Sequence, residues 1–217
     1  FPHFEEIVSS NNYSNEIISA HKNSPQNSPH FFENGSIRLS SHEYQSILRS
    51  VCFVKNKGGE MINCLSCHTN QNGEIADVKT DEKILSFQAC TNCHQQFLSV
   101  DAVAEHTKHP LDSESSKCYS CHLPEIAYGH LKFQRTHEIS IPNPELTVSK
   151  NIPNACNLCH LDKSVNWAIE KSKMLWKDRF QFAKSSKDTQ FDESEGLRGL
   201  FAGDAFIRAN TANALSQ

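Results

Sequence analysis

Eight cysteines and four histidines share one repeated spacing. They lie in Cys64-Leu65-Ser66-Cys67-His68, Cys90-Thr91-Asn92-Cys93-His94, Cys118-Tyr119-Ser120-Cys121-His122 and Cys156-Asn157-Leu158-Cys159-His160. Residues three and four apart share a face of a helical turn. The two thiols of each unit can therefore reach the two vinyl groups of one porphyrin, and the histidine that follows can reach its iron. C-x-x-C-H is the spacing of c-type haem attachment. Paired C-x-x-C units also occur in zinc sites, redox dithiols and disulfides. None of these requires a histidine directly after each second cysteine. With twelve histidines among 217 residues, four such coincidences have a chance of about 1 in 100,000 by composition alone. The units predict four covalent haems, with His68, His94, His122 and His160 as proximal ligands.

Each iron then needs a sixth ligand. Only Met61 and Met174 are available as thioethers, and both read as packing residues. Eight further histidines remain: His3, His21, His30, His42, His106, His109, His130 and His137. Bis-histidine ligation throughout is the economical reading, and it implies low potentials compared with His/Met ligation. His42 opens a helical-looking run, His42–Arg49. His106 and His109 are spaced i, i+3 in Ser99–His109, which suits a short helix ending at Pro110. One short helix could thus serve two haems and hold them close. His137 follows the third unit and His130 competes with it. His3, His21 and His30 default to solvent. The ninth cysteine, Cys52, lies between Val51 and Phe53 and reads as a buried free thiol.

The elements that must position these residues are short. Only 37% of residues are hydrophobic and mean hydropathy is −0.54, so porphyrin faces must replace much of an aliphatic core. The predicted fold is mainly α with extensive irregular loops, cored by haem, with little or no β-sheet. Residues 1–40, rich in Asn and Ser with two Ser-Pro steps, read as an extended polar arm. Residues 41–161 form the tetrahaem body and 162–217 a carboxy-terminal helical segment. There Asp162 is a candidate N-cap for a helix running to about Lys184. Val165, Ala168, Ile169, Leu175, Trp176 and Phe180 make its apolar stripe. A polar link, Ser185–Glu195, leads to a second helix within about Asp204–Leu215.

A net charge of −4 without a long basic run argues against nucleic acid as a partner. No stretch reaches the roughly 18 apolar residues of a membrane span. Phe1-Pro2-His3-Phe4 lacks a signal peptide's charged start and apolar run, so Phe1 reads as the first residue of a processed chain.

Glu43 to about Trp176 resembles the extracytoplasmic multihaem cytochromes related to tetrahaem cytochrome c-554. The resemblance rests on His106-Thr107-Lys108-His109, Cys118–Pro124, Arg135–Pro144, Pro153–Ser164 and Trp167. Many relatives have Met-Pro where this chain has Leu123-Pro124. The resemblance implies distal roles for His106, His109 and His137, and a periplasmic or extracellular location. Small tetrahaem cytochromes also include subunits of extracellular filaments. The functions to weigh are therefore an electron conduit (a self-associating filament subunit, or a soluble shuttle docking on redox proteins), a haem-based oxyanion reductase, and a docking module for a larger oxidoreductase. A reductase needs one iron with an open sixth position, whereas the spare histidines outnumber the sites.

Overall fold

The structure, a computed structural model, describes residues 31–38, 43–55, 64–68, 88–128, 132–177 and 191–217. It is mainly helical, and the sheet among the described residues is a single two-stranded one. Helices α1 (Glu43–Arg49) and α2 (Val51–Lys55) are parted only by Ser50. α3 (Gln88–Thr91) carries the first cysteine of the second unit, and α5 (Cys118–His122) is the third unit itself. Between them, α4 (Val100–Thr107) starts where the Ser99 hydroxyl accepts from the Ala102 N–H at 3.2 Å. Satisfying an orphan donor this way fixes a helix start. The helix stops at Lys108, which adopts a left-handed φ of 58°. It ends short of the predicted boundary at Pro110, so His106 stands on the helix and His109 just beyond its turn.

A hairpin follows. Strands β1 (Glu125–Tyr128) and β2 (Lys132–Arg135) pair antiparallel, with Glu125 opposite Arg135. It returns the chain past the third unit to His137. α6 (Glu145–Lys150) and α7 (Val165–Leu175) then pack together. Val165, Ile169 and Phe191 form a small buried cluster with Val148 against it, in keeping with the low hydrophobic content.

The N-cap of α7 is Ser164, whose hydroxyl accepts from the Trp167 N–H at 3.0 Å. Asp162, the predicted cap, is exposed and pairs with Lys163 at 2.7 Å instead. The helix closes at Trp176 rather than near Lys184. Val165, Ala168 and Ile169 of the predicted stripe are buried. Leu175 is 37% exposed, and Phe180 lies outside the described residues.

α8 (Glu195–Phe201) and α9 (Ala205–Leu215) follow, the latter within the predicted Asp204–Leu215 range and capped by the Asp204 side chain. α8 occupies a stretch where Gly196 and Gly199 weaken the helical signal. Contact explains them. Gly196 sits under the Leu161 carbonyl, and a Cβ at Gly199 would strike the Thr211 hydroxyl. Thr211 is buried and donates to the Ile207 carbonyl at 2.8 Å, so it has no room to yield. Overpacking costs about 1–3 kcal/mol, against about 1 kcal/mol gained in helix propensity. Gly199→Ala should therefore lower the melting temperature, by up to roughly 8 °C in a thermal scan.

Within the predicted arm, residues 31–38 form a tight turn closed by a Phe31–Ile37 bridge, with Gly35 at φ 80°. Ile37 is buried. Arg38 pairs with Asp204 and lies 4.7 Å from the Phe206 ring centre. Residues 1–30, His42, Met61 and His130 lie outside the described residues. Among the described residues, no helix is long and apolar enough to cross a membrane.

Candidate functional site

The four C-x-x-C-H units fold into the same turn despite their unequal separations. In the first, second and fourth, the leading cysteine carbonyl accepts from the histidine N–H at 2.9 Å in each case and from the second cysteine N–H at 3.2–3.3 Å. In the third the whole unit is helical. Each turn gathers two thiols and an imidazole. None of the nine cysteines is in a disulfide, so all eight unit thiols are available for thioether bonds. Cys52 is half-buried rather than enclosed.

Neighbouring units approach through their thiols. Cys67 is pushed up in pKa by burial and then by Cys90, Cys52 and Cys93 beside it. Cys90 and Cys118 share a hydrogen bond that raises the first and lowers the second. Burial, with Cys156 and Cys159 close by, raises Cys121 to about 11. The units therefore neighbour one another in chain order. Among the described residues, no three His, Cys, Asp or Glu side chains converge as a metal-ligand group, although a tetrahedral zinc site needs four.

Histidines pair instead, two at a time. His68 faces His137 with ring centres 6.1 Å apart, His122 faces His106 at 6.1 Å, and His160 faces His109 at 6.2 Å. Aromatic pairs in general span about 4.5–7 Å, so one such distance decides little. Three agree to 0.1 Å, and each joins a unit histidine to one from elsewhere in the chain. A bond of about 2.0–2.1 Å to each imidazole, the range for zinc, plus about 1.1 Å from nitrogen to ring centre, sets two axial rings roughly 6.2–6.4 Å apart. The observed ring-centre spacing lies close to that separation.

The tautomers fit too. His122 Nδ1 lies 2.7 Å from the Ser140 carbonyl and His109 Nδ1 lies 2.6 Å from the Thr107 carbonyl. A carbonyl only accepts, so both rings carry a proton on Nδ1, which leaves Nε2 as the nitrogen that would face a metal. His137 Nδ1 is buried with no hydrogen-bond partner. Burial pushes the His137 pKa down, and likewise that of His160. Both rings are thereby held neutral, the form that ligates. His94 is exposed, with Gln96 Nε2 3.5 Å from its Nδ1. His42, a predicted distal ligand with no partner assigned to it, lies outside the described residues.

Several residues that hold the ligands were not foreseen as such. The Ser50 hydroxyl donates to the His137 carbonyl at 2.8 Å and accepts from the Ile139 N–H at 2.9 Å. Ser140 grips His122 through both ring and backbone. Arg135 lies 4.1 Å over the Tyr119 ring inside the third unit and pairs with Glu114 at 3.6 Å. Trp167 tilts onto His160 at 4.9 Å, and Phe97 onto His106 at 4.6 Å. Asn157, inside the fourth unit and 2% exposed, donates to the carbonyls of His160, Lys163 and Ser164 at 3.2, 3.1 and 3.4 Å. Sequence marks these polar residues weakly, because Ser and Asn serve turns and caps everywhere. No family model, curated protein or solved structure matches this chain.

Proposed function

We propose that the chain is an electron-transferring tetrahaem c-type cytochrome. The observation that carries this reading is the pairing of three C-x-x-C-H histidines with His137, His106 and His109 at a common 6.1–6.2 Å. Haem held by two imidazoles supplies reversible one-electron chemistry with no open iron position. Cys64 and Cys67, Cys90 and Cys93, Cys118 and Cys121, and Cys156 and Cys159 anchor the four groups. His68, His94, His122 and His160 are the proximal ligands, and by elimination His42 is assigned to His94. The thiols of successive units lie near one another, so groups anchored on them would be close enough for sequential hopping. α4, carrying His106 and leading to His109, ties the third site to the fourth.

Filled axial positions favour a carrier over an oxyanion reductase. The location this implies is extracytoplasmic, with redox proteins or further copies of the chain as partners.

The test is direct. Intact mass should exceed the 24.5 kDa polypeptide by about 2.5 kDa, four haem c groups. The oxidised protein should give only low-spin signals. Fewer haems, or a high-spin iron in the purified protein, would overturn the assignment. Electron microscopy of the same sample separates a filament subunit from a shuttle: continuous strands one subunit wide in the first case, discrete particles in the second.

A further inference from the structure

α7 touches the proposed haem sites at three levels. Near its start, Trp167 tilts onto His160 at 4.9 Å. One and a half turns later, buried Ser172 lies beside the Cys156 thiol. At its C-cap, the Trp176 indole N–H donates to the His106 carbonyl at 2.7 Å. The first two contacts belong to the fourth site. The third reaches across to the distal ligand of the third.

That carbonyl is one of the last four of α4, which have no partner within the helix. The left-handed turn at Lys108 satisfies the Ala104 carbonyl, and the indole satisfies His106. Trp176 is itself fixed, since its backbone N–H donates to the Ser172 carbonyl at 3.0 Å. The short α4 has few buried anchors: Val103 is its buried apolar residue, while Val100 is 65% exposed. A helix of eight residues has little stability of its own. Its ligand-bearing end therefore depends on contacts from outside, and the indole supplies a directional one.

We propose that Trp176 is a positioning residue that holds His106 in place as the sixth ligand of the third haem. This rests on the tetrahaem reading, which the haem count of the unaltered chain tests separately. Without the indole N–H, the end of α4 frays and His106 leaves the iron more often, opening a site for carbon monoxide in the reduced protein.

The experiment compares carbon monoxide binding to the dithionite-reduced full chain, unaltered, as Trp176→Phe and as His106→Ala. His106→Ala defines complete opening, about one carbon monoxide per chain. Trp176→Phe keeps the apolar bulk and loses the donor. It should retain four haems and bind carbon monoxide roughly 2- to 10-fold faster than the unaltered protein, the range of one neutral hydrogen bond. Should Trp176→Phe load haem poorly, benzothienylalanine at position 176 keeps the shape of the ring and removes only the N–H. Four haems with an unchanged rate in either variant overturn the proposal. Loss of all four haems alike from both also overturns it, because it marks a general packing residue. Selective loss of low-spin signal from the third site supports it.

Discussion

Replacing His137 by alanine is expected to turn one haem in four from six-coordinate low-spin to high-spin, with carbon monoxide uptake rising from near zero to about one per chain. His137 is the ring facing His68, and its backbone is held from both sides. Ser50 clamps the His137 carbonyl and the Ile139 N–H, and half-buried Glu138 beside it pairs with Arg49 at 3.4 Å. The alanine variant keeps these backbone contacts, so the loss is confined to the ligand. Electron paramagnetic resonance and carbon monoxide titration read the change. His130→Ala is the comparison: it should leave the spectrum as it was. If it opened an iron while His137→Ala did not, the assignment of the first site would fail.

The turn of each C-x-x-C-H unit was legible in the sequence because it is local. Two thiols and an imidazole on one turn need only five consecutive residues, and all four units adopt that turn. The helix bearing His106 was legible for a similar reason, since Ser99 marks its start. Pairing was another matter. His137 faces the histidine of the first unit from beyond the third, and no local rule predicts such a return. It depends on the hairpin β1–β2, four residues per strand, whose pattern is too short to stand out from loop. α8 was hidden by two glycines that are needed for close approach to Leu161 and Thr211. The cap of α7 was placed two residues early because Asp162 and Ser164 are both good N-caps. The choice between them is tertiary: Ser164 bridges to Ser194 ahead of α8, and the Glu195 N–H donates to the Lys163 carbonyl at 2.9 Å.

Asn157→Leu is expected to have the largest effect on stability. Its side-chain amide donates to three carbonyls of the 160–164 loop, and its Oδ1 accepts from Asn154 at 2.9 Å. Asn154 in turn accepts from the Asn157 N–H and donates to Thr147 at 3.0 Å. The network is buried, so leucine strands several polar groups at about 1–3 kcal/mol each. A loss of about 3–5 kcal/mol would follow, a large share of the 5–15 typical of a domain. The melting temperature should fall by roughly 6–20 °C. The haem count should stay at four, because thioether formation needs only Cys156, Cys159 and the histidine after them. Asn157→Asp makes the sharper case. It is nearly isosteric and keeps the acceptor toward Asn154, yet it exchanges the donor for a carboxylate oxygen facing carbonyls. Burying that charge among acceptors costs more than leucine's missing bonds, so the aspartate variant should melt below the leucine variant. The opposite order would mean that the cavity's shape, rather than its hydrogen bonds, holds the fourth unit in place.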